Sequence, residues 1–188
     1  IAVMIFLSVF HIDYESYNVS ARYLSYLLTP ATVCLAVPLY QQLSLLKKHA
    51  RAILAGTVTG VLTTMATVLV LALLFQLTHE QYVTFLPKSI TTAIGMGVSE
   101  EMGGIVTITV ACIIITGIIG NIIAETVCRL FHITEPVAKG IAIGSASHAI
   151  GTTKAMEMGE IEGAMSSLAI AVSGLCTVLF ASVFANFI

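Results

Sequence analysis

The chain has no tryptophan and little charge: Asp, Glu, Lys and Arg together make up 10% of its 188 residues. A soluble domain carries about 25% charged residues, which excludes an ordinary soluble fold. Apolar residues make up 57% of the chain, in runs long enough to cross a bilayer. The expectation is an all-α polytopic membrane protein, with residues 1–188 forming a single transmembrane domain. With a net charge of −2, no nucleic-acid surface is implied. The four cysteines, Cys34, Cys112, Cys128 and Cys176, form no CxxC pair and lie in or beside apolar runs. A disulfide framework or metal site is therefore not expected, and they read as packing or lipid-facing residues. The sequence lacks GxSxG, HExxH and P-loop motifs. Ser147 and His148 are adjacent, so their spacing alone does not make a nucleophile–base pair. The reading is not an enzyme, with no cofactor and no metal. No signal peptide is visible. The chain opens inside an apolar run without Met at position 1, so helical sequence is expected upstream.

Ile1 to Phe10 is too short to span and reads as the end of a helix. His11 to Ser20 is polar and reads as an exposed loop. Ala21 to Tyr40 is a second apolar run, which Pro30 and Pro38 should bend or interrupt. Lys47, Lys48, His49 and Arg51 form a basic cluster that marks a cytoplasmic loop. Ala52 to Phe75 is a clean span. Its Gly56 and Gly60 permit close helix contact, a pattern common by chance in apolar helices. Gln76 to Glu80 is the next turn. Ile105 to Ala124 and Ala164 to Ile188 are further spans, with Arg129, His132, Pro136 and Lys139 between them.

Two polar, glycine-rich stretches break this pattern. The first is Tyr82 to Gly104, YVTFLPKSITTAIGMGVSEEMGG. The second is Gly140 to Gly163, GIAIGSASHAIGTTKAMEMGEIEG. Lys, Glu and His are costly at bilayer depth. Such content suits a broken or re-entrant helix that lines a cavity, the alternative for the second being a short cytosolic loop. If the first stretch dips in from outside and returns, Arg129, His132 and Lys139 fall inside, as the positive-inside rule prefers. A weak repeat agrees. Ser89-Ile-Thr-Thr, Met96, Glu100–Glu101 and Gly103–Gly104 lead into one span. Ser147-His-Ala-Ile-Gly-Thr-Thr, Met158, Glu160, Glu162 and Gly163 lead into the other. Inverted repeats whose polar segments meet at mid-depth are a transporter arrangement.

Half-helix N-termini and hydroxyls attract anions. Ser89, Thr91 and Thr92 would serve in the first stretch, and Ser145, Ser147, Thr152 and Thr153 in the second, with Lys88 and Lys154 supplying charge. The ligand inferred is a small carboxylate. Capping and helix–helix hydrogen bonding are the alternative use of these hydroxyls. His148, near Gly151, could accept a coupled proton or bond the substrate, or could only satisfy a carbonyl. Lys154 and Glu157 are three apart and should pair on one helix face. Glu100, Glu101, Glu160 and Glu162 read as solvated segment ends.

At these stretches the sequence is similar to the LrgB/CidB family. The likeness rests on Pro87-Lys-Ser-Ile-Thr-Thr and Gly103-Gly-Ile. It rests above all on the run from Lys139 through Gly-Ser-Ala-Ser-His-Ala-Ile-Gly-Thr-Thr-Lys, followed by Glu160-Ile-Glu-Gly-Ala-Met-Ser-Ser-Leu-Ala. Pro30-Ala-Thr-Val-Cys-Leu-Ala-Val-Pro also fits. The resemblance covers nearly the whole chain, and the family's first helix or two are expected to precede it. It implies a multi-pass protein of the bacterial cytoplasmic membrane, paired with a small holin-like LrgA/CidA partner and tending to homo-oligomers. It implies modulation of murein hydrolase activity and autolysis, with relatives linked to pyruvate uptake and to plastid glycolate and glycerate movement. Two readings follow: a monocarboxylate transporter, possible proton coupling included, or a holin/antiholin-like regulator or pore component without specific transport.

Overall fold

A computed structural model describes residues 2–26, 40 and 43–188. Cys34 and the bends expected at Pro30 and Pro38 lie outside the described residues. The chain forms two compact units, Ile1–Val37 and Pro38–Ile188.

In the first unit, α1 (Ala2–Val9) and α2 (Tyr14–Ser25) are joined at His11–Asp13. The expected loop over His11–Ser20 is thus helical from Tyr14 onward. Asp13 heads that helix, and its carbonyl accepts the Tyr17 N–H at 3.1 Å. Asp is a favoured helix-capping residue, so polarity here signals a helix start.

The second unit contains α3 (Leu43–Leu74), α4 (His79–Phe85), α5 (Thr92–Glu101), α6 (Val106–Leu130), α7 (Pro136–Met158) and α8 (Glu160–Phe184). A 3-10 turn, Ala185–Phe187, follows. Among the described residues, three helices are long and apolar enough to cross a membrane: Lys47–Leu74, Val106–Leu130 and Glu160–Phe187. α3 extends to about 48 Å at 1.5 Å per residue, against a hydrocarbon core of about 30 Å. Its first turns carry Lys47, Lys48, His49 and Arg51. The basic cluster is therefore the protruding end of a helix, where an interhelical loop was expected. Long cationic side chains on such an end reach the headgroups.

Contacts set the direction of each element. The start of α3 packs Gly56 on Ile141 of α7, and the far end of α8 receives the Tyr82 hydroxyl at the Phe184 carbonyl, 2.8 Å. α6 begins beside Thr84 and ends beside Lys154. α3 and α8 therefore leave the membrane face that α6 approaches. Lys47, Lys48, Arg51, Arg129, Lys139 and Lys154 gather at that end, leaving Lys88 as the second unit's cation elsewhere. By the positive-inside rule this end is cytoplasmic.

Between the spans lie two hairpins. The outer one is α4, residues 86–91 and α5. Thr78 and Gln81 form a capping box that starts α4. Pro87 removes a backbone donor just past its end, so the helix stops there. Thr91 then starts α5 in an extended conformation. The Thr84 hydroxyl accepts the Ile105 N–H at 2.8 Å, and Thr109 Oγ1 donates to the Thr84 carbonyl at 2.9 Å. Both ends of the hairpin thus return to one membrane face. Gly103, at φ +78, takes the left-handed turn that ends α5.

The inner hairpin is α7 folded at His148, whose φ of 42 and ψ of −145 are non-helical. In an unbroken helix Lys139 and Glu157 would stand about 27 Å apart. Instead they line one vestibule at the cytoplasmic end. Outer hairpin plus α6, and inner hairpin plus α8, thus repeat in opposite orientation, as the sequence repeat suggested.

Candidate functional site

The tip of the outer hairpin approaches the inner hairpin between the spans. Ser89 of the outer tip and Ser145 of the inner hairpin line one closed slot, with Thr64 and Met65 of α3 and Thr177 of α8. The slot measures about 10 Å³, room for about one water molecule. Lys88 is half-buried beside it, and its Nζ donates to Ser89 Oγ at 3.2 Å. Ser89 can then turn its own hydroxyl proton toward a ligand. Thr91 and Thr92 lie at the start of α5, where Thr91 makes no side-chain cap bond.

The inner tip is built by close packing. His148 is buried and its Nε2–H donates to the Ile113 carbonyl of α6 at 2.9 Å. That bond selects the Nε2–H tautomer and leaves Nδ1 as an acceptor. Thr152 Oγ1 lies 2.9 Å from the His148 carbonyl and 2.7 Å from Ser166 Oγ of α8. Ser147 packs on Gly120 of α6, and Gly151 packs on Ser147 and Ile143. Ser145 donates to the Ile141 carbonyl at 2.7 Å.

Of the twelve predicted site residues only Ser89 and Ser145 line the slot; Ser147 and His148 pack against α6, and Thr152 against α8. On the returning arm, Lys154 and Glu157 line the cytoplasmic vestibule, and Thr153 faces Asn121 of α6. The expected Lys154–Glu157 pair is present at 3.1 Å. Lys154 also meets Glu125 at 3.5 Å, and Glu125 holds Arg129 at 3.1 Å. Glu162, expected to be solvated, is buried. It lies in the first turn of α8, where a carboxylate favours the helix N-terminus.

Sequence reasoning missed Asn121. Its amide donates to the Ile150 carbonyl at 2.9 Å and to Thr153 Oγ1 at 2.7 Å, strapping the returning arm to α6. An amide inside an otherwise apolar span was the available signal. Asn121→Ala is expected to destabilise the fold by about 0.5–2 kcal/mol. The measurement is thermal unfolding in detergent, and an unchanged Tm would show the strap to be idle. Gly56 and Gly60 do have a packing function, but within the chain: a Cβ there would lie 3.2 Å from Ile141 and 3.1 Å from Ser145 Oγ. A groove of about 950 Å³ lies between α3 and the inner hairpin, and it is mostly apolar. It reaches Ser145 but no residue of the outer hairpin.

These features define a multi-pass helical membrane protein in which paired re-entrant hairpins meet from opposite faces. The chain belongs to the LrgB-like family, whose profile matches residues 1–187. It is 37% identical over 185 residues to the antiholin-like protein LrgB of Bacillus mycoides (strain KBAB4), covering 98% of this chain and 80% of that protein. The same figures hold for the antiholin-like protein LrgB of Bacillus cereus (strain B4264) and of Bacillus anthracis (strain CDC 684 / NRRL 3495). No solved structure matches the chain. Family and spans together make it a multi-pass bacterial membrane protein.

Proposed function

We propose that the chain transports small monocarboxylates of the pyruvate or glycolate kind across the cytoplasmic membrane, coupled to protons, and that this transport is tied to autolysis. The observation that carries this reading is the meeting of two opposed hairpins at a slot lined by Ser89 and Ser145, with Lys88 beside it. A lysine at that depth is costly unless it has work to do. A cation and hydroxyl donors suit a carboxylate, which is acceptor-only. The slot is far smaller than a three-carbon acid, so binding requires the tips to move apart. Tips entering from opposite faces can withdraw in turn, which is the requirement for alternating access.

In this reading Lys88, Ser89, Thr91, Thr92 and Ser145 contact the acid. Ser147, His148, Gly151 and Thr152 form the movable inner tip. Thr153, Lys154 and Glu157 hold it closed from the cytoplasmic side. The LrgB-like family membership supports a role in controlling murein hydrolases and autolysis. The antiholin-like name of the relatives also favours a second reading, a regulator or pore component acting with a small holin-like partner. Homo-oligomers fit either.

Proteoliposomes separate the two. Uptake of radiolabelled pyruvate and glycolate should saturate and should rise with an inward proton gradient. Folded protein that takes up neither acid, yet releases an entrapped dye, would defeat transport and favour the pore.

A further inference from the structure

Among the described residues, two buried side-chain hydroxyls have no hydrogen-bond partner, those of Thr57 and Ser173. Serine and threonine in a membrane helix can donate to a carbonyl one turn back, as Ser167 does to Gly163 at 3.0 Å. Ser173 does not, although it is only 1% exposed. A buried unpaired hydroxyl is costly, and a functional role is one of the recurrent explanations.

The surroundings of Ser173 say where a ligand would be. Ala169, Ser173 and Thr177 follow one another at four-residue spacing and so share one face of α8. A Cβ at Gly144 of the inner hairpin would lie 2.9 Å from Ala169 Cβ. Thr177, one turn further on, lines the slot with Ser89 and Ser145. The neighbouring Gly174 packs on Ile94 of the outer hairpin, with a built Cβ 2.8 Å from Ile94 Cδ1. Ser173 therefore sits on the α8 face between the contact with Gly144 of the inner hairpin and Thr177, one turn from the slot. Thr57 lies elsewhere, one turn beyond Ile53 on α3, which packs with Ile141 and Met165.

We propose that Ser173 is a substrate-contacting residue: its hydroxyl is left unpaired in the closed protein and donates to the carboxylate when the tips open around it. The proposal rests on the transport reading and adds to it a donor from a spanning helix that neither hairpin supplies. Because α8 is one of the spans, Ser173 would contact the acid whichever hairpin is open.

The test uses the full chain in detergent and in proteoliposomes, with pyruvate and glycolate as probes. Ser173→Ala should leave the ligand-free Tm unchanged or raise it, because no hydrogen bond is lost. Its Kd by ligand-induced thermal shift, and its KM for uptake, should rise about tenfold or more. Ser166→Ala, which removes a hydroxyl paired with Thr152, is the structural comparison and should lower the Tm. If Ser173→Ala binds with wild-type affinity, or lowers the ligand-free Tm as far as Ser166→Ala does, Ser173 is not a ligand contact, and transport by the wild type still stands. Wild-type protein that neither binds nor moves either acid overturns the transport reading itself, and this inference with it.

Discussion

His148→Ala is expected to reduce carboxylate uptake to background in protein that still inserts and folds. His148 is the residue at which α7 reverses, at φ 42 and ψ −145, and it is 3% exposed. Its Nε2–H is committed to the Ile113 carbonyl. Nδ1 is then the ring atom available to the coupled proton or to the substrate. His148→Gln can still donate to Ile113 but cannot titrate. It should bind substrate while losing accumulation driven by the proton gradient. His148→Gly separates the backbone from the ring. Glycine accepts this positive φ freely, and relief of such strain is worth about 1–3 kcal/mol. The glycine variant should therefore be more stable than the alanine variant and equally inactive. Thermal unfolding, substrate binding and gradient-driven uptake on each purified variant provide the check. Normal uptake by His148→Ala would reject the proposed role and turn attention to Lys88 or Lys154. Joint loss of folding in all three variants would leave His148 a structural hinge alone.

Gly144→Leu is expected to prevent α7 and α8 from packing together. A Cβ at Gly144 would meet the Ser166 carbonyl oxygen, and would lie 2.8 Å from Ser166 Cα and 2.9 Å from Ala169 Cβ. Gly140, one turn earlier, faces the Glu162 carbonyl oxygen and Met165 Cβ at 2.5 and 2.6 Å in the same construction. These are largely backbone atoms of a spanning helix, which cannot swing aside as a side-chain end can. Overpacking a tight core costs about 1–3 kcal/mol, and a leucine against backbone belongs at or above the upper end. Separation there would also break the Thr152–Ser166 contact, so the returning arm of the hairpin would be lost too. Gly97 is the control. Nothing lies within 4 Å of its built Cβ, and Gly97→Ala in α5 should stabilise by up to about 1 kcal/mol through helix propensity. The yield of monodisperse protein and its Tm in detergent measure both. If Gly144→Leu folds as well as Gly97→Ala, the close approach of α7 to α8 is not a requirement of the fold.

The spans, their approximate limits and the cytoplasmic end could be read from the chain itself. Hydrophobic length against bilayer thickness and the placement of Lys and Arg are local properties, so they survive without coordinates. The Lys154–Glu157 pair is local in the same way, since three residues along a helix bring two side chains to one face. The two interrupted stretches were legible because glycine, proline and charge are out of place at that depth. What the sequence could not supply were partners distant along the chain. His148 reaches Ile113 across 35 residues and Asn121 reaches Ile150 across 29. No spacing rule links such pairs, because their meeting depends on where α6 runs relative to a hairpin. The same holds for Gly140 and Gly144. Their glycines suggested a broken helix, whereas much of their use is to let two backbones touch. Burial of Glu162 and the missing partner of Ser173 also depend on what surrounds them. A hydroxyl in an apolar run reads alike whether it is capped, lipid-facing or left open beside a slot, and only the tertiary structure distinguishes these cases.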